Sequence, residues 1–150
     1  MERLIEIQKQ GVDIGFSRVM TPNEEEEARI DFCAIVGMPE SATWLELYYA
    51  MIPKSSKVGK IPDNATGFQF SEVIDDPDLT PETPMRLIYV TWNESYVVPL
   101  RILDLDVLWI LWRASADALY MAPFGTEWLL FLSDTGDLYF FRKQKDYHAT

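Results

Sequence analysis

Histidine occurs once, at His148, and cysteine once, at Cys33. A Ser–His or Cys–His nucleophilic pair would have to draw on the C-terminal stretch "QKDYHAT", which is expected to fray, and no Cys/His set exists to hold zinc. One thiol closes no internal disulfide, which fits a reducing compartment. Neither GxxxxGK[ST] nor GxGxxG is present, so the usual phosphate cradles are missing. The apolar run Val107–Trp112 spans six residues between Asp106 and Arg113. No run approaches the roughly 18 apolar residues that suggest a bilayer span. The start, "MERLIEIQKQ", lacks the basic, apolar and small-residue segments of a signal peptide, so a cytoplasmic location is expected. Basic residues are few: 13 against 24 acidic ones, a net charge of −11. That field disfavours nucleic acid and anionic membrane as direct partners and favours a basic protein.

What is present is a chain able to build a core. Hydrophobic residues make up 48% and aromatics 13%, which argues against disorder. A length of 150 residues fits a single domain over 1–150.

The clearest local signal is "TPNEEEEARIDFCAIVGMPES", residues 21–41. Thr21 suits an N-cap, Pro22 the first helical position, and Glu24 completes a capping box. The acids Glu24, Glu25, Glu26 and Glu27 lie where a helix dipole favours negative charge. Ala28, Phe32, Ile35 and Val36 recur at helical spacing; Gly37 suits the position past the end, and Pro39 prevents continuation. Cys33 falls within this apolar face, where an inert buried thiol is expected.

A second helix is predicted over "SATWLELYYAMI", with Trp44, Leu45, Tyr48, Tyr49 and Ile52 on the apolar face and Pro53 as its end. Residues 3–10 fit either a short helix ending at Gly11 or an edge strand. "VDIGFSRVM" fits a loop or a short strand. Residues 53–84, crowded with proline, read as one long loop-rich segment with one short strand expected at "GFQFSEV".

From residue 85 the pattern turns to strands: "MRLIYVTW", "ESYVVPLRIL" with Pro99 marking an edge or bulge, "LDLDVLWILW" as a central strand, and a short element in "SADALYMAPFG". "EWLLFLSDTGDLYFFRK" is a hairpin with Gly136 at positive φ. Helices followed by a strand series give an α+β fold, with N-terminal helices packed on a mainly antiparallel sheet that ends in a β-hairpin.

Candidate chemistry is confined to carboxylates. Asp104 and Asp106 stand two apart in an expected strand and would share one face. Buried, they would form an acid–base pair, the basis of a carboxylate-dependent hydrolase reading; facing water, they only solubilise. "DDPDLTPE" lacks the central glycine and the regular acidic ladder of a calcium loop. The expectation is therefore no catalytic residue, no metal and no cofactor. Asp75, Asp76, Asp78 and Glu82 on the long loop, with Asp134 and Asp137 beside the hairpin turn, are the candidate partner-binding residues, because exposed acids steer a basic protein partner. One alternative is a phage-encoded inhibitor of a host nucleic-acid-binding or defence protein, acting by DNA mimicry.

Residues 21–52, through "EEEEARIDFCAIVG", "MPES" and "TWLELYYAM", resemble the N-terminal signature of the SUKH superfamily of bacterial toxin-immunity proteins. "APFGTEWLLFLSDTGDLYFF", residues 122–141, is similar to that family's glycine-containing strand and aromatic hairpin. Met38 stands where the family has leucine, and Cys33 where it has glutamate. The resemblance implies an α+β fold and a cytosolic antidote that binds a cognate toxin, a cationic one such as a nuclease. It carries over no catalytic residue and no interface position.

Overall fold

The computed structural model of the chain describes residues 2–60, 74–90, 94–103, 111 and 118–143. Four helices are present among them: α1 (Glu2–Lys9), α2 (Pro22–Val36), α3 (Trp44–Met51) and the single turn α4 (Leu100–Leu103). Seven strands are β1 (Arg18–Val19), β2 (Ser56–Lys60), β3 (Pro84–Tyr89), β4 (Tyr96–Pro99), β5 (Leu119–Pro123), β6 (Trp128–Leu132) and β7 (Asp137–Arg142). They form one sheet in the order β1-β4-β3-β5-β6-β7-β2, with every pairing antiparallel. The α+β class and the closing hairpin follow the sequence reading.

Helix α2 forms for the reasons its ends predict. The Glu24 backbone N–H donates to the Thr21 hydroxyl, and the Glu24 carboxylate accepts from the Thr21 N–H at 3.0 Å. Gly37 closes the helix at φ 84°, with its N–H donating to the Cys33 carbonyl. Helix α3 carries a second capping box, Thr43 with Glu46. The chain does not leave it abruptly at Pro53 but tightens into a 3-10 turn, Ile52–Lys54.

Both faces of the sheet are covered. α2 and α3 lie on one, where Phe32, Leu47 and Met51 meet Ile88, Val97, Tyr120, Leu129 and Phe131. On the other, Leu4 and Ile7 of α1, with Ile102 and Leu103 of α4, meet Leu87, Val98, Met121 and Leu130. Double coverage explains why β5 and β6 are buried at every position and why their sequences are apolar runs without alternation.

An aromatic cluster joins α2 and α3 to the sheet. Phe32 meets Trp44 and Tyr120 with ring centroids 5.7 Å apart in each pair, and Tyr120 meets Phe131 at 4.7 Å. The Tyr120 hydroxyl donates to the Trp44 carbonyl at 3.1 Å. Arg29 donates to the carbonyls of Glu40 and Ala42, fixing the α2–α3 connection.

Several expectations are corrected. Of the two readings of residues 3–10, the helix is the one found, as α1 over Glu2–Lys9. The segment 53–84, read as loop with a strand at residues 67–73, contains β2; "GFQFSEV" itself lies outside the described residues. β2 is "SKVGK", without strand periodicity. It exists because β7 offers an open edge, and a register shift between Lys57 and Gly59 leaves Val58 as the extra, unpaired residue. The strand expected over "ESYVVPLRIL" stops at Pro99. There the Leu100 and Arg101 N–H groups turn to the carbonyls of Thr83 and Pro81, at 2.9 and 2.8 Å, and α4 begins. The central strand expected over 103–112 lies mostly outside the described residues; its described members, Leu103 and Leu111, are helical. The central positions belong to β3, β5 and β6.

Candidate interaction surface

The four glutamates of α2 divide by role. Glu24 pairs with Arg18 through two contacts of 2.6 Å and caps the helix. The Arg18 guanidinium, helped by the Thr21 N–H, holds its carboxyl down at about 2. Half-buried Glu25 is pushed the other way by desolvation, partly offset by a hydrogen bond from Ser95. Glu26 pairs with Arg29 one turn on. Glu27 is an exposed acid. These residues start and brace a helix.

The loop acids are also partly occupied. Asp76 accepts the Asp78 N–H at 3.0 Å and the Trp128 indole N–H at 3.3 Å, tying the loop to the start of β6. Glu82 pairs with Arg101 at 2.7 Å. Asp75 and Asp78 are exposed. At the hairpin, Asp137 pairs with Lys57 at 3.1 Å and accepts from the Thr135 hydroxyl at 3.0 Å, so it links β7 to β2 and shapes the turn. Gly136 takes φ 87°, as the turn requires. Asp134 is exposed at the tip.

The two acidic groups do not meet. Asp76 lies at Trp128, where β6 begins, while Asp134 follows Leu132, where β6 ends. Four steps along a strand separate these points by roughly 14 Å. No group of three or more metal-binding side chains occurs among the described residues. Asp104, Asp106 and His148 lie outside the described residues. Among those described, no helix is long and apolar enough to cross a membrane.

The sequence reading misplaced one side of α3. Leu45 and Tyr49 on α3 were expected to face the core, yet they are 48% and 67% exposed. Leu47 and Met51 take the core positions instead, and Trp44 and Tyr48 are half-buried between the two sides. The signal was present: α3 is apolar nearly all round, with Glu46 its one charged residue, and a surface helix cannot bury every side. Tyr49 does not stand loose. Its ring packs on Tyr48 at 5.2 Å, and Tyr48 packs on Phe131 of β6 at 4.6 Å. Burial, and then the charge of nearby Asp134, push the Tyr48 hydroxyl above its ordinary pKa. The outcome is an exposed apolar pair on α3, Leu45 and Tyr49, with the Tyr49 ring backed by Tyr48 and Phe131.

No protein-family model, no curated protein and no solved structure matches this chain.

Proposed function

We propose that this chain is an acidic protein-binding inhibitor of the SUKH kind, an immunity protein that neutralises a cationic toxin such as a nuclease. The observation that carries this reading is the exposed, ring-supported Tyr49 one turn from exposed Leu45, on a chain of net charge −11. A tyrosine held by packing contributes contact area with little ordering cost, and such residues dominate the energetics of many interfaces. The chain's acids, Asp134 among the exposed ones, draw a basic partner by long-range attraction. Asp75 and Asp78, at the far end of β6, contribute to the attracting field rather than to the same contact patch.

The test uses the protein as bait against extracts of its source organism and of competing strains, at low and high salt. A captured basic protein is then purified and its toxicity and association kinetics are measured. The expected outcome is neutralised toxicity and an association rate that falls steeply with salt. Tyr49→Ala should weaken binding about 30-fold or more, the scale of an interface anchor. Asp134→Asn should slow association with little change in dissociation. Equal association rates at low and high salt, or unchanged affinity of Tyr49→Ala, refute the reading.

A further inference from the structure

Phe124 opens the β5–β6 turn and is 51% exposed, yet its ring is braced from behind. Arg86, in the middle of β3 and 2% exposed, holds its guanidinium 4.6 Å from the ring centroid. That guanidinium is itself fixed: one terminal nitrogen donates to Asp31 and the other to the Pro123 carbonyl, each at 2.9 Å. The ring is therefore an apolar knob held in place by a buried cation.

A groove of two adjoining hollows runs beside this knob. The first, about 230 Å³, is lined by Arg86, by Asp31 of α2, and by Gly125, Thr126 and Glu127 of the turn. The second, about 350 Å³, is lined by Val36, Gly37, Lys54 and Phe141. Ala34, Ile35 and Lys143 line both. Helix α2 gives the groove a direction, with Asp31 at one end, Ala34 in the middle and Gly37 at the other end, roughly 9 Å from Asp31 along the axis. Charge divides along that direction. The acids Asp31 and Glu127 belong to the first end, and Asp31 is 57% exposed. The second end has Lys54 and no acid among the described residues, and exposed Lys143 sits between the two.

A groove with acids at one end, a lysine at the other and an apolar middle is complementary to itself when turned end for end. A two-fold axis through Ala34 sets the acids of one copy against Lys54 of the other, twice over. It also sets each Phe124 over the other copy's second hollow, against Val36 and Phe141. Ala34 is small and exposed, so two α2 helices can approach closely there, antiparallel and with opposed dipoles. Copies of net charge −11 repel one another in general, and this patch of mixed sign offers them attraction instead.

We propose that two copies of this chain associate through this groove, α2 against α2, with reciprocal seating of Phe124. The contact is small, so the dimer is weak and reversible. Leu45 and Tyr49 lie on α3 and line neither hollow, so the proposal stands whether or not the toxin-binding reading does.

The test follows sedimentation velocity of the full-length chain over a dilution series at physiological ionic strength, with circular dichroism showing that each variant is folded. A concentration-dependent dimer is expected. Phe124→Ala should weaken it about 30-fold or more, the loss of an interface anchor. Ala34→Gln, a good helix former at an exposed position, crowds the axis and should abolish it. Glu127→Lys and Lys54→Glu, both at exposed residues, should each weaken self-association about tenfold, since each change reverses two symmetry-related contacts. An equal mixture of these two variants should dimerise again, because the reversed charges then face one another. A chain that stays monomeric up to about 1 mM, unchanged self-association of Ala34→Gln, or no recovery in the mixture overturns the proposal.

Discussion

Replacing Phe32 by alanine separates the residues that hold this fold from those that face outward. Phe32 is fully buried, and its ring touches Trp44 and Tyr120 while covering one face of Arg86. Truncating a buried phenylalanine costs about 3–5 kcal/mol from lost transfer energy and the cavity left behind. Here the surrounding rings are fixed by the Tyr120–Trp44 hydrogen bond and by α3's capping box, so the cavity collapses poorly. Arg86 also loses a cation–π contact, worth about 1–2 kcal/mol when desolvated. The two contributions overlap, and a total near the upper end, about 4–5 kcal/mol, is expected. Against the usual stability of about 5–15 kcal/mol, that is a large fraction. For a chain of this size it corresponds to a fall in melting temperature of roughly 8–20 °C. Urea unfolding followed by circular dichroism, with an unchanged slope, measures it. Tyr49→Ala serves as the internal control: at an exposed position it should shift stability by about 0.5 kcal/mol or less. A loss below about 1.5 kcal/mol for Phe32→Ala, or a comparable loss for Tyr49→Ala, would refute this assignment of core and surface.

Two further outcomes follow from local structure. Gly37→Ala should cost about 1–2 kcal/mol in thermal unfolding, entirely from the left-handed φ of 84°, since an added methyl group meets nothing within 4 Å. Glu24 gives a pH signature. Its carboxyl falls from an ordinary 4.5 to about 2 in the folded chain, so its stabilising effect is complete above pH 4.5 and is lost as pH falls toward 2. The pair is solvent-accessible, so the effect is about 1 kcal/mol or less. Comparing wild type with Glu24→Gln across pH 2–6 should show the difference only at the upper end of that range.

The sequence on its own determined the elements whose causes lie within a few residues. The bounds of α2 were legible because Thr21, Pro22, Glu24 and Gly37 each act on neighbouring backbone groups. The hairpin was legible because its turn residues and flanking β-rich runs adjoin one another. Only the tertiary structure decided β2, since "SKVGK" becomes a strand through β7's unpaired edge, and α4, since the carbonyls of Pro81 and Thr83 turn the chain after Pro99. It also decided which way side chains on apolar elements point. Arg86 stands in the strand "MRLIYVTW" with nothing local to bury it, yet it is 2% exposed, with its guanidinium 5.0 Å from the Phe32 ring of α2 and 4.6 Å from that of Phe124. Leu45 and Tyr49 read as core, yet the sheet has room for only one side of α3. Capping and turn formation depend on neighbours along the chain, whereas burial depends on which surfaces meet, and that is a property of the assembled layers.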